Sequence, residues 1–350
     1  MDVLEAIGRI RRGEALPGDL ESILSATDGD AEAAFSEARR ARDAEFGRRA
    51  FLYGFVYFST HCRNDCAFCY FRRSSGLPRY RKSADEVLSL SASLKDAGVN
   101  LVDLTMGEDP VMCADGHREA IGLVRRVKEE VGTAVMASPG AMSEQSFADL
   151  AEAGADWFAC YQETYDRGLF SRLRLGQSFD HRMDQRAWAR KAGMLAEDGI
   201  MVGIGESVEG RAESLRMMGG QGCEQIRAMT FIPQEGTPMA GSAPPGFGAE
   251  LLAIAAMRIM FPDRLIPASL DVEGIAGLRA RLDAGANVVT SIVPPRMDLA
   301  GVAQHELDIE NGNRSVRHVA EMLDEMGMRA ATDAEYGAAL SRLRSRRGRL

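Results

Sequence analysis

From residue 50 onward, runs of apolar, β-prone residues alternate with amphipathic segments. The runs are AFLYGFVYFST (50–60), VNLVDLTMG (99–107), TAVMASPG (133–140), DWFACYQE (156–163), IMVGIGES (200–207), QIRAMTFIPQ (225–234), RLIPASLD (264–271) and ANVVTSIVPP (286–295). Between them, segments such as SADEVLSLSASLKDAG and EAIGLVRRVKEEVG carry helical periodicity, and several end in Gly just before the next apolar run. That is where a helix C-terminus favours glycine. Continuous apolar strands separated by helices predict a parallel sheet covered on both faces. Eight such units over 50–295 predict an α/β fold, a (β/α)8 TIM barrel of ordinary size.

The flanks read differently. Residues 1–49 contain LPGDLESILS, with Pro and Asp at a helix start, and the Ala/Glu/Arg-rich DAEAAFSEARRARDAEFGRR. Both predict helices, hence an N-terminal helical cap on the barrel. Residues 296–350, with NRSVRHVAEMLDEMGM and DAEYGAALSRLRSRR, predict a C-terminal helical extension with a basic tail.

Composition narrows the class without changing the fold. The chain is 45% hydrophobic and 27% charged, ordinary for a soluble globular protein. No apolar run reaches the roughly 18 residues of a membrane span, and the N-terminus lacks a signal-peptide core, so the expectation is cytoplasmic with no membrane association. A net charge of −9 disfavours nucleic acid as a partner. The five arginines of 341–350 are the exception, and are taken as a solvated terminus rather than an RNA contact. The five histidines, His61, His117, His181, His305 and His318, are expected at the surface. No acid–base pair built on histidine is apparent.

The cysteines bring in chemistry. Cys113, Cys160 and Cys223 are scattered and read as core or loop thiols. Cys62, Cys66 and Cys69 crowd into eight residues, in FSTHCRNDCAFCYF, after the first strand. Three thiolates on one loop can hold three corners of a [4Fe–4S] cluster and leave one iron open to a small molecule. The alternative is zinc, which in structural sites takes four ligands; no second Cys/His pair of suitable spacing is present, and His61 directly adjoins Cys62. The loop follows a barrel strand, on the face where barrel active sites lie.

C-x3-C-x-aromatic-C at this place, with Phe68 before the third cysteine, resembles the radical S-adenosylmethionine (SAM) superfamily. The resemblance implies that SAM chelates the open iron and that Phe68 lies near its adenine. It also implies that Met106, Gly107 and Glu108 at the end of strand two meet the SAM ammonium, and that Ser138 at the end of strand three faces the cofactor. Glu163 followed by Arg182 resembles the biotin-synthase-like branch; by that likeness Glu163 meets the SAM amino acid or ribose and Arg182 its carboxylate, with Arg174 a second candidate. GIMVGIGE (199–206) resembles the strand that flanks adenine, with Met201 in the apolar position.

Charges inside apolar strands remain to be explained. Asp103 sits in NLVDLTM, Arg227 in QIRAMTF, and Ser269 and Asp271 in IPASLD. Buried charge is costly unless paired. One reading is a structural ion pair such as Asp103 with Arg227; the other is a pocket for a zwitterionic substrate. The segments FVYFSTHCRNDCAFCYF, VDLTMGEDP, YQETYD, LRLGQSFD, FIPQEGTP, RLIPASLD and NVVTSIVPP together resemble the 3-methylornithine synthase family of pyrrolysine biosynthesis, over roughly 45–300. That resemblance implies a mutase in which the 5′-deoxyadenosyl radical abstracts hydrogen from L-lysine, the lysine radical fragments, and the pieces recombine as (3R)-3-methyl-D-ornithine. It implies that Asp103, Arg227, Ser269 and Asp271 grip the substrate, with Thr290 or Ser291 closing the pocket, and that flavodoxin or ferredoxin supplies the electron. Other enzymes of this chemistry remain as alternatives, biotin-synthase-like or hydrogenase-maturation-like, as does a non-enzymatic zinc scaffold. The lack of a second cysteine cluster argues against sulfur insertion of the biotin synthase kind.

Overall fold

A computed structural model of the chain describes residues 2–294 and 314–346. Its centre is a barrel of eight parallel strands: β1 (Arg49–Ser59), β2 (Leu101–Met106), β3 (Ala134–Ser138), β4 (Trp157–Ala159), β5 (Leu195–Val202), β6 (Gln225–Thr230), β7 (Pro267–Ser269) and β8 (Val288–Ile292). The hydrogen-bonded order runs β6-β5-β4-β3-β2-β1-β8-β7. Between β6 and β7 the pairing among the described residues is a single bridge, Gln225 with Leu265, at the lower end. The barrel is therefore nearly closed, with its seam parted toward the C-terminal face.

The helices are α1 (Val3–Arg11), α2 (Asp19–Leu24), α3 (Asp28–Phe46), α4 (Ala84–Ala97), α5 (Arg118–Arg126), α6 (Ser146–Glu152), α7 (Arg167–Leu173), α8 (Phe179–Lys191), α9 (Val208–Gly220), α10 (Phe247–Met260), α11 (Gly274–Asp283), α12 (Val316–Glu325) and α13 (Asp333–Arg346). Helix α4 shows how local chemistry sets a unit. Ser83 accepts from Glu86 N while the Glu86 carboxylate accepts from Ser83 N, and Gly98 ends the helix in the left-handed region at φ 97°. A Cβ on Gly54 of β1 would stand 2.7 Å from Leu94, so the glycine lets α4 lie directly on the strand.

Period-two alternation sorts the strand residues. Outward ones such as Leu52, Val102, Val135, Phe158, Ala196 and Val289 join the core between sheet and helices. Inward ones from the lower half, Phe51, Tyr53, Leu101, Met136, Trp157, Leu195 and Val288, form a second core. Helix α13 plugs that lower mouth with Tyr336, Ala339, Leu340 and Leu343, one face at helical spacing. Tyr336 Oη accepts from Trp157 Nε1 at 3.0 Å and donates to Tyr53 Oη at 3.0 Å.

Several expectations change. The fifth strand begins at Leu195, not 200, and ends at Val202. Its first half holds Glu197 and Asp198, an acidic pair that looks like a solvated helix end. Both are buried because each meets an arginine: Glu197 pairs with Arg227 at 3.3 Å and Asp198 with Arg186 at 3.2 Å. The fourth strand stops at Ala159, and the chain runs on without regular pairing until Glu163 forms a parallel bridge with Ile200 of β5. The C-terminal extension is not purely helical: β9 (Arg329–Ala330) pairs in parallel with the start of β1. Residues 341–346 of the basic tail are not a free solvated terminus. They are the end of α13, where Arg344 pairs with Asp156 at 3.1 Å and Arg346 with Glu45 at 2.9 Å. His117 is buried at the left-handed turn into α5, where burial lowers its pKa. His181 is exposed, and His61 and His318 are half-buried. His305 and residues 295–313 and 347–350 lie outside the described residues.

Candidate active site

At the C-terminal end of the barrel lies a cavity of about 280 Å³. Its wall includes Cys62, Cys66, Cys69, Phe68, Met106, Gly107, Glu108, Ser138, Glu163, Arg174 and Arg182, and also Asp103, Arg227, Ser269 and Asp271. Thr290 and Ser291 stand behind that wall and reach it through hydrogen bonds described below.

The thiol loop is held from two sides and by one bond within itself. Arg63 N donates to Glu108 O at 2.9 Å, Ala67 N to Leu173 O at 2.7 Å, and Cys69 N to Cys66 O at 3.3 Å. A Cβ on Gly107 would collide with the His61 carbonyl and approach Cys62 Cβ to 3.0 Å, so this strand-end glycine is what lets the loop descend onto β2. All six cysteines are free. Gln177 Nε2 donates to Cys66 Sγ at 3.1 Å and Arg174 Nη1 lies 3.7 Å from it. Burial pushes the Cys62 and Cys69 thiols up. Thiolates here therefore need a positive centre beside them. Among the described residues no three His, Cys, Asp or Glu side chains converge on a single ion. One zinc ion draws its thiolate donors to about 2.3 Å of one point, whereas a four-iron cluster spreads them over separate corners. The donor set, three thiols facing one cavity with cationic and amide donors at Cys66, fits the cluster.

Next to the loop is a ring of paired charges. Glu108 accepts from Arg63 Nε at 3.0 Å and from Ala141 N at 3.2 Å, and lies 3.4 Å from Arg182 Nη1. Burial would raise its pKa, but Arg182 and these donors bring it below the usual value. Glu163 sits at φ 68°, strained for a non-glycine residue, and binds Arg174 Nη2 at 2.6 Å. Its pKa is raised by burial against the pull of Arg174. Glu163 Oε2 and Arg174 Nε are buried with no hydrogen-bond partner among the described residues, two polar atoms left for a polar ligand. Arg182 donates from Nε to Tyr161 O at 2.6 Å. Thus the partner of Glu163 is Arg174, while Arg182 bridges toward Glu108.

Deeper in the barrel lies the second set. Asp103 accepts from Ser138 Oγ at 2.8 Å. It forms no ion pair with Arg227, so the Asp103–Arg227 pair weighed from sequence is absent. Burial pushes Asp103 up to about 7, with Ser138 pulling the other way. Arg227 instead meets Glu197, and donates to Tyr161 Oη at 3.0 Å and Thr290 Oγ1 at 2.6 Å. Asp271 accepts from Ser291 Oγ at 2.7 Å, Ser269 Oγ at 3.0 Å and Arg314 Nη2 at 2.8 Å. Burial would raise Asp271, but Arg314 and the two hydroxyls hold it below its ordinary value. Ser291 takes φ 66°, the second strained residue at this rim.

Glu197, Tyr161 and Arg314 are site residues that the sequence reading did not select. The signal for Glu197 was present: Gly193 precedes Met194 just as Gly precedes the other strands. Tyr161 carried only its place beside a strand end. Arg314 carried none, being remote from any barrel unit.

The radical SAM superfamily model matches residues 56–218. The 3-methylornithine synthase of Methanosarcina barkeri is 44% identical over 343 residues, covering 97% of this chain and 98% of that protein. A crystal structure of methylornithine synthase (PylB) superposes with a TM-score of 0.90 at 44% identity, covering 95% of this chain and 99% of that one. The [FeFe] hydrogenase maturase subunit HydE of Thermotoga maritima is 29% identical over 290 residues, 81% of this chain and 82% of that protein.

Proposed function

The chain belongs to the 3-methylornithine synthase family of the radical SAM superfamily, and on that premise we propose that it isomerises L-lysine to (3R)-3-methyl-D-ornithine, the first step of pyrrolysine biosynthesis. Cys62, Cys66 and Cys69 would hold three irons of a [4Fe–4S] cluster, with the fourth open to SAM. When bound, the cluster and SAM supply a 5′-deoxyadenosyl radical, given one electron from an external donor. A cytoplasmic setting suits free thiols and such a cluster.

The chain's own residues bind and confine. Glu163 and Arg174, with their unpartnered atoms, and Glu108 with Arg182, offer opposite charges to the two ends of an amino acid. Phe68, buried and 5.4 Å from the Arg174 guanidinium, offers a flat apolar face. Met106, Gly107 and Ser138 complete that rim.

The observation that carries the lysine reading is the charged layer below. Lysine brings one carboxylate and two ammonium groups; the layer offers the Arg227 guanidinium and the Asp103 and Asp271 carboxylates. Tyr161, Thr290 and Glu197 hold Arg227 in place for the carboxylate. Asp103 has no cation within ion-pair distance among the described residues, so an ammonium would ionise it and cancel its burial cost. Asp271 is already neutralised by Arg314, and offers the other amine hydrogen-bond acceptors together with Ser269 and Ser291. Both fragments of a cleaved lysine would stay pinned at a charged end, inside walls that exclude water.

The test is direct. Reconstituted, reduced protein with SAM and L-lysine should yield an isomer of the same mass with a new fragmentation pattern. SAM cleavage with lysine always returned unchanged would sink the lysine assignment and leave another radical SAM substrate.

A further inference from the structure

Between Arg63 and Lys82 the chain carries six Lys and Arg against one Asp, in a molecule whose net charge is −9. This stretch leaves the thiol loop and folds back over it. Thr60 N donates to Tyr80 O at 3.1 Å and Lys82 N to Phe58 O at 2.8 Å, so 80–82 runs antiparallel beside the end of β1. Arg73 N donates to Asn64 O at 2.7 Å, which lays Arg73 against the loop between Cys62 and Cys66. Arg79 stitches the layers together, donating to Thr60 O at 2.6 Å, Phe71 O at 3.0 Å and Arg72 O at 2.7 Å. Underneath, Tyr57, Tyr70 and Phe71 pack with Cys69.

Three of these cations are neutralised: Arg63 by Glu108, Arg72 by Asp65 and Arg81 by Asp109. Arg73, Arg79 and Lys82 form no ion pair among the described residues. Arg73 is exposed, and Lys82 lies 4.8 Å over the Tyr80 ring. Three cations without an ion-pair partner among the described residues, in a protein of net charge −9, thus lie on the outer cover of the thiol loop.

The proposed function needs one electron from outside, and electrons reach a buried centre only from a donor seated close to it. On a net-negative protein, a basic patch beside the thiol loop would both attract and orient an acidic donor. We propose that the cover formed by Arg73, Arg79 and Lys82 is the docking surface for an acidic one-electron carrier protein of the flavodoxin or ferredoxin kind. This rests on the radical SAM reading, not on lysine as the substrate.

The probe is purified flavodoxin kept reduced by its reductase and NADPH, and the readout is 5′-deoxyadenosine formed from SAM. The double variant Arg73→Glu/Lys82→Glu should lose about tenfold or more in flavodoxin-driven rate at subsaturating flavodoxin, and its rate should lose the decline with added salt expected of the parent protein. With dithionite the two proteins should be equal, and Arg73→Lys should behave as the parent. Equal flavodoxin-driven rates overturn the proposal, as does an equal loss with both reductants, which would make these residues supports of the cluster. Flavodoxin affinity measured by titration is an independent check: about tenfold weaker for the double variant supports docking here, and unchanged affinity overturns it. A missing lysine product with dithionite would remove the substrate assignment and leave the docking result standing.

Discussion

In the lower half of the barrel, Leu101, Met136, Leu195 and Val288 point inward and meet Leu340 and Leu343 of α13. Two residues further along the same strands stand Asp103, Ser138, Glu197 and Thr290, all in the upper half. One step of the pleat takes the interior from an apolar core to a charged pocket. The lower layer gains free energy from burial; the upper layer spends it on groups whose desolvation is only partly offset by Arg227, Arg314 and neighbouring hydroxyls. Of the five non-glycine residues with positive φ among the described residues, Glu163 and Ser291, at φ 68° and 66°, lie at the upper rim and none lies in the lower layer. The lower layer is a foundation, and the upper layer is tolerated because the foundation holds it.

Substitutions can break this contrast at chosen points. The largest effect belongs to Cys66→Ser, which should abolish bound iron and bring SAM cleavage below detection. The unfolding midpoint of the metal-free protein should hardly move, because the loop contributes nothing to the lower core. Iron analysis and thermal unfolding read the two halves separately. Next comes Arg227→Met, which leaves Glu197 as an unpaired buried charge. It should cost about 3–5 kcal/mol of stability and at least about a hundredfold in kcat/KM for lysine. Adding Glu197→Gln should restore much of the stability and none of the turnover, as denaturant titration and kinetics would report.

Leu340→Ala strikes the foundation instead. It should cost about 2–5 kcal/mol of stability while KM for lysine stays within about twofold, provided the assay runs well below the unfolding midpoint. The smallest effect is a pH dependence. Asp103 has a raised pKa, about 7 against an ordinary 3.8, so its ionised form is disfavoured in the folded protein. Its contribution to stability is therefore best below about pH 4 and declines as pH rises from there to about 7. An ammonium ligand reverses the preference. KM for lysine should fall about tenfold between pH 6 and pH 8, and Asp103→Asn should flatten that profile.

Each of the eight apolar runs overlaps a strand, because parallel strands buried on both faces leave a continuous hydrophobic record. The thiol loop was equally plain, since three cysteines crowded into eight residues point to a bound metal or cluster. Charges set within apolar stretches, such as Asp103 and Arg227, stood out against their background. The first half of β5 did not, because Glu197 and Asp198 are neutralised by Arg227 and Arg186, which are distant in sequence. Arg314 was hidden for the same reason: its value lies in reaching Asp271, a contact across 43 positions. The plug made by α13 was legible as a helix but not as part of the barrel interior. Long-range pairing decides all of these, and a one-dimensional pattern carries no trace of it.

The central claim is that the charged upper layer holds L-lysine where the adenosyl radical can take hydrogen from it. Incubation of the reconstituted, reduced protein with SAM and lysine deuterated along its side chain tests this most directly, with the 5′-deoxyadenosine analysed by mass. The account predicts deuterium in the 5′-deoxyadenosine, dependent on Arg227 and Asp103. Unlabelled 5′-deoxyadenosine from an actively cleaving enzyme would contradict it.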